Sequence, residues 1–147
     1  MAHKVFVLNG PNLNMLGKRE PHLYGTTTLA DIESRTRALA SELGLECEFR
    51  QTNHEGVMVD WIQEAYEQDA AVVINPAGLS FGCVPVVDAL KLIARPLIEV
   101  HITNIHQRDE LHRHSSVSLV AQGVICGLGP IGYLLALRAV KDAFDKA

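Results

Sequence analysis

An α/β sandwich built on a parallel sheet is the fold class this sequence predicts, and three observations predict it. Short apolar runs alternate with amphipathic helical patterns along the chain. The central runs, such as VFVL and AAVVI, carry no polar alternation, as strands covered on both faces do. One run, LECEFRQ, does alternate: Leu45, Cys47 and Phe49 fall on one face and Glu46, Glu48 and Arg50 on the other, which marks an edge strand.

The elements follow in order. KVFVLN is the first strand and breaks at Gly10-Pro11. The segment GKREPHLYG, Gly17 to Gly25, reads as a loop holding Arg19 and Tyr24. TLADIESRTRALASELG is the first long helix, with Thr28 as N-cap, Asp31 three residues on, and Gly44 closing it. After the edge strand come EGVMVDWIQEAYEQD as a helix and AAVVIN as the third strand. The next helix starts near Gly82 or later, because Pro85 lacks an N–H and is tolerated only in a first turn. PLIEVH is the fourth strand. A polar connection, ITNIHQRDELHRHSS, has room for one short helix. GVICG is the fifth strand, and the strongly apolar IGYLLALRAVKDAF is the last helix.

Right-handed crossovers between these strands give a three-layer sandwich. Five strands with the second at an edge predict the flavodoxin-like order 2-1-3-4-5. Ligands in such sheets bind beyond the strands' carboxyl ends, near the switch point between strands 1 and 3. The residues just past those ends are Asn9, Asn12 and the Arg19/Tyr24 loop after strand 1, Asn75 after strand 3, and His101, Thr103 and Asn104 after strand 4.

Composition narrows the function. At 147 residues, 48% hydrophobic and 20% charged, the chain is expected to form one globular domain over residues 1–147. A net charge of −4 without any Lys/Arg run argues against nucleic acid as a partner. No segment is long enough to span a membrane and the N-terminal apolar run is too short for a signal peptide, so a cytoplasmic location is expected. Three cysteines, Cys47, Cys83 and Cys126, with no CxxC fit a reducing compartment. His112 and His114 are close, but no thiol pair or HExxH accompanies them, so no metal site is expected. No GxGxxG or P-loop is present, and no cofactor is expected. A phosphorylated receiver domain would need Asp where Asn75 stands, and a flavin-phosphate site would want a Ser/Thr-rich loop where NGPNLNM stands.

Several residues could carry chemistry. Glu99 lies two residues before His101 and so points to the same side of its strand. A carboxylate bonded to one imidazole nitrogen fixes the tautomer and favours the charged ring, leaving the other nitrogen as a proton donor; alternatively the pair is only structural. Tyr24, with an ordinary pKa of about 10, acts as a base at neutral pH only if a cation stabilises its phenolate, and Arg19 is the nearest cation in sequence. An Arg stacked on a surface Tyr is the plainer alternative. Asn12 and Asn75 either satisfy loop backbone or orient a water or substrate hydroxyl. Asp88 sits three residues before Lys91, the spacing of a solvated ion pair, and Arg108 pairs with nearby acids or joins the substrate contacts.

Taken together, NGPNLNMLGKREPHLYG, QTNHEG, INPAG, EVHITNIHQRDE and GLGPIGYLLAL make the chain resemble the type II 3-dehydroquinate dehydratases through nearly its whole length. The resemblance implies a dodecamer of trimers acting on a cyclic hydroxy-keto acid without metal, nucleotide or Schiff-base lysine. It implies Tyr24 as the base that removes a proton beside the ketone, with Arg19 lowering its pKa on a closing loop. It also implies an enolate stabilised through a water near Asn12, and His101 protonating the departing hydroxyl. Asn75 and the backbone at Ile102 and Thr103 match positions that hold the substrate carboxylate, and Asp88 matches a residue that reaches a neighbouring subunit's site. The departures are concentrated. The family typically has His-Thr-Ser where Phe81-Gly82-Cys83 stands, and an Arg contacting ring hydroxyls where His112 stands; Pro85 and Val87 are also unusual. Three readings follow: a 3-dehydroquinate dehydratase, a paralogue eliminating water from a related hydroxy-keto acid, or a binding module that has lost turnover. The Tyr24, Arg19 and His101 set argues against the third.

Overall fold

The computed structural model describes residues 2–18 and 20–147, with Leu23 and Tyr24 described in backbone alone. Its strands are β1 (His3–Asn9), β2 (Leu45–Gln51), β3 (Ala71–Asn75), β4 (Leu97–His101) and β5 (Gly123–Cys126). Its α-helices are α1 (Pro21–Tyr24), α2 (Leu29–Glu42), α3 (Glu55–Glu67), α4 (Val84–Leu90) and α5 (Ile131–Lys146). The sheet order is β2-β1-β3-β4-β5 and each neighbouring pair is parallel, as the sequence predicts.

Alternation along the buried strands builds the two cores. Val5, Val7, Val73 and Val100 face one side, where Ile32 and Leu39 of α2 and Tyr133 and Leu137 of α5 cover them. Phe6, Leu8, Val72 and Ile74 face the other, under Met58 and Ile62 of α3 and Val86 and Leu90 of α4. Each such aliphatic or aromatic side chain contributes about 1.5–3 kcal/mol when fully buried. The polar face of β2 is not simply solvated: the Arg50 guanidinium lies 5.0 Å from the Phe6 ring centroid and 5.6 Å from that of Trp61. Glu64 holds it with bonds of 2.7 and 3.1 Å.

Local signals explain the boundaries. Thr28 and Asp31 form a reciprocal capping box at 3.0 and 3.1 Å, so α2 begins at Leu29. Pro85 occupies the first turn of α4. Two segments differ from expectation. The loop between Gly17 and Gly25 contains the single helical turn α1, opened by Pro21. The connection after β4 holds three 3-10 turns, Ile105–Gln107, Glu110–His112 and Val117–Leu119, where one short helix was expected. Asn104 and Asp109 each accept a nearby backbone N–H at 3.1 Å, and such local bonds close short turns instead of propagating a helix. Among the described residues, no helix is long and apolar enough to cross a membrane.

Candidate active site

Three central strands end in buried polar side chains: Asn9 on β1, Asn75 on β3 and His101 on β4. Asn9 and Asn75 are register partners. Between them sits Tyr133 of α5, whose hydroxyl donates to Asn9 Oδ1 at 2.7 Å and accepts from Asn75 Nδ2 at 2.9 Å. Asn9 Nδ2 in turn donates to the Arg50 carbonyl, and Asn75 Oδ1 accepts the Ala77 N–H. Burial pushes the Tyr133 phenol well above its ordinary pKa, so it stays neutral. Gly10 lets the first loop approach the third: a Cβ there would lie 2.3 Å from the Pro76 carbonyl oxygen.

On β4, Glu99 and His101 point to the same side, as alternation requires. Glu99 is fully buried and His101 is 5% exposed. His101 Nε2 bonds to Glu99 Oε2, and Ser118 Oγ donates to Glu99 Oε1 at 2.6 Å. Burial alone would raise the Glu99 carboxyl; His101, Ser115 and Ser118 more than offset it, and the group lies below its ordinary value. The buried Ser115 Oγ reaches no partner at hydrogen-bond geometry, so His101 and Ser118 are the side chains seen bonded to Glu99.

Past these strand ends opens a cleft of about 150 Å³. Asn12, Asn75, Phe81, His101, Ile102, Thr103, Arg108 and His112, all singled out in the sequence, line it. Glu99 stands behind His101, out of the cleft. Asn12 has a left-handed backbone, φ 70°, and its N–H donates to Asn53 Oδ1 at 3.0 Å. A second, wider hollow shares Ile102, Thr103 and Arg108 with the first and is bordered by His22 of α1. The turn carrying Tyr24 therefore borders the approach to the cleft. The Tyr24 side chain and all of Arg19 lie outside the described residues.

Two residues stand apart from the cleft. Asp88 does not line the cleft; exposed on α4, it has Lys91 Nζ at 3.6 Å, the solvated pair its spacing predicts. Arg113 lies 3.5 Å from Glu110 and is not among the residues lining the cleft. His112 lies across from Phe81, ring centroids 5.4 Å apart and planes at 81°. Sequence reasoning missed Tyr133 and Ser118. Tyr133 looks like any aromatic in an apolar helix, and Ser118 like any loop serine; only their distant partners reveal them. Among the described residues no cluster of His, Cys, Asp and Glu is disposed to hold a metal.

The molecule is thus a doubly wound α/β protein with its ligand cleft at the strands' carboxyl ends, equipped with a carboxylate–imidazole pair of the kind used in acid–base chemistry. Residues 3–141 match the family Dehydroquinase class II. The chain is 53% identical to 3-dehydroquinate dehydratase 1 of Agrobacterium fabrum, covering 97% of this chain and 98% of that one. It is 55% identical to the 3-dehydroquinate dehydratase of Brucella canis, over 95% and 89%. The crystal structure of type II dehydroquinase from Propionibacterium acnes superposes with a TM-score of 0.93 at 47% identity, over 97% and 98%. The chain belongs to the class II dehydroquinase family and is a hydro-lyase.

Proposed function

We propose that this chain dehydrates 3-dehydroquinate to 3-dehydroshikimate by an enolate-forming elimination. The observation that carries the reading is the buried Glu99–His101 pair opening on a cleft at the end of β4. Tyr24, with Arg19 stabilising its phenolate, takes the proton from the carbon beside the ketone. The C–H electron pair becomes the C=C bond of an enolate while the carbonyl π pair moves to the ketone oxygen, which a water held near Asn12 stabilises; that pair then returns to re-form the ketone as the C=C pair shifts to expel the hydroxyl. Glu99 occupies Nε2 of His101, so Nδ1 is the nitrogen that gives a proton to the leaving hydroxyl. The C–O bond breaks, the ring gains a double bond and water departs. Tyr24 has gained a proton and His101 has lost one, and exchange through solvent restores both. The substrate carboxylate rests on Asn75, whose Nδ2 has a second hydrogen beyond the one given to Tyr133, and on the backbone at Ile102 and Thr103. Arg108, at the junction of both hollows, adds positive charge.

Asp88, exposed and outside its own cleft, reaches a neighbouring subunit's site in a dodecamer of trimers. The enzyme is a single domain of residues 1–147 working in the cytoplasm. Purified protein given dehydroquinate is expected to produce the absorbance of the conjugated enone, with loss of most turnover in Tyr24→Phe. No absorbance at any enzyme concentration would overturn the reading, and near-normal rate in the variant would remove Tyr24 as base. A second reading, a related hydroxy-keto acid as the preferred substrate, is favoured by one feature: the Phe81–His112 wall is less polar and less cationic than a His and an Arg would be. A higher turnover efficiency on an analogue lacking one ring hydroxyl would decide for it.

A further inference from the structure

We infer that Asp109 is a positioning residue that presents His112 to the substrate as a hydrogen-bond acceptor for a ring hydroxyl. The inference rests on the reading of this cleft as the substrate site. Asp109 caps the turn Glu110–His112, and its Oδ1 accepts twice from one residue: from the His112 backbone N–H at 3.1 Å and from the His112 ring at Nδ1, 2.7 Å. The ring bond holds Asp109 below the ordinary aspartate pKa, so it remains a carboxylate and an obligate acceptor. A carboxylate at Nδ1 requires the proton there, and in the neutral ring that leaves Nε2 as an acceptor. The second constraint is Phe81, packed at 81° against the ring across the cleft wall. Backbone, carboxylate and aromatic neighbour together fix where the imidazole sits. Among the described residues, Nε2 has no protein partner.

The consequence is a change in chemical sign at this wall. A guanidinium donates only and accepts nothing. While its ring is neutral, the Asp109–His112 unit accepts at Nε2 and so takes the hydrogen of a substrate hydroxyl. On protonation Nε2 becomes a donor, and the wall reverts to a cationic contact. Asp109 is the charged group bonded to the ring, and Glu110, Arg113 and His114 are the other charged and titratable groups on its own segment. Arg108 and His101 lie along the cleft from β4 and its following turn, and Cys83 follows Phe81.

The test is a double-mutant cycle on the full-length enzyme with dehydroquinate. Asp109→Ser keeps a side chain able to cap the turn but too short to hold Nδ1. It is expected to raise KM about fivefold, the worth of one ordinary hydrogen bond, with kcat within about twofold. Asp109→Asn, whose Oδ1 can still accept both N–H groups, recovers most of the affinity. In a His112→Gln background, Asp109→Ser should add nothing. An effect of Asp109→Ser that is equal with and without His112 would overturn the inference and leave Asp109 a plain cap. Long-range proton–nitrogen NMR of His112 in the unliganded protein tests the same point without turnover. The Nδ1–H form is expected in the native chain and a mixture in Asp109→Ser. A native Nε2–H form would overturn the inference even if the enzyme turned over dehydroquinate. Absent turnover with the Nδ1–H form present would fault the substrate assignment alone, and a hydroxylated ring acid that shifts the Nε2 signal on titration would then support the inference.

Discussion

The floor and the rim of the cleft are both polar, yet they are held in opposite ways. On the floor Asn75 and His101, and just beneath it Asn9 and Glu99, are buried, and most of their partners come from elsewhere in the chain. Tyr133 is 124 residues from Asn9 and 58 from Asn75, and Ser118 is 19 from Glu99. At the rim and on the surface beyond it, the pairs are three residues apart and exposed at least in part: Asp109 with His112 at the rim, Glu110 with Arg113 and Asp88 with Lys91 beyond it. Buried polar groups lose about 1–3 kcal/mol when a partner is removed, whereas exposed pairs are worth about 0–1 kcal/mol. The floor therefore tolerates little, while the rim can exchange residues at small cost to the fold. The departures Phe81 and His112 lie on the rim.

Substitutions in the floor should produce the largest effects. His101→Asn is expected to lower kcat by about 10²–10⁴-fold, the usual contribution of a positioned acid, with KM little changed. A fall confined to KM would move His101 from the chemistry to mere binding. Glu99→Ala should destabilise the protein by about 3 kcal/mol, because it leaves a buried imidazole and the Ser118 hydroxyl without their partner. The sign with pH follows from the lowered Glu99 carboxyl. Its stabilising contribution is full above the unfolded glutamate value, about 4.3, and fades as pH falls through the still lower folded value. Denaturant melts of the two proteins should therefore converge in acid; a gap that widened there would contradict the assignment.

Tyr133→Phe sharpens the comparison, since it removes one oxygen and strands two amides. A loss of about 2 kcal/mol is expected by urea denaturation, together with a raised KM as Asn75 loses its fixed orientation. The rim should answer differently. Phe81→His combined with His112→Arg is expected to improve kcat/KM on dehydroquinate by about tenfold, one charged hydrogen bond's worth, while the melting temperature barely moves. Harm from this double change would mean that the native wall suits another substrate. The smallest effect belongs to Asp88→Asn, which should leave subunit stability within about 0.5 kcal/mol, as exposed pairs do. Sedimentation and steady-state kinetics of that variant ask whether Asp88 serves a neighbouring subunit.

Much of this was legible in the chain itself. The edge character of LECEFRQ and the capping box at Thr28 follow from periodicity and local bonding, which act within a few residues, and the strand order follows from that edge together with right-handed crossovers. Glu99 and His101 could be paired on paper because a strand repeats every two residues. The Asp88–Lys91 pair was equally readable from helical spacing. What the sequence could not give is which distant side chains complete the buried groups. Nothing near Tyr133 says that its hydroxyl bridges Asn9 and Asn75, and nothing near Ser118 says that it supports Glu99. Those partners are chosen by the packing of α5 and of the turn Val117–Leu119 against the sheet. A buried donor or acceptor is satisfied only by whatever the completed fold brings within about 3 Å.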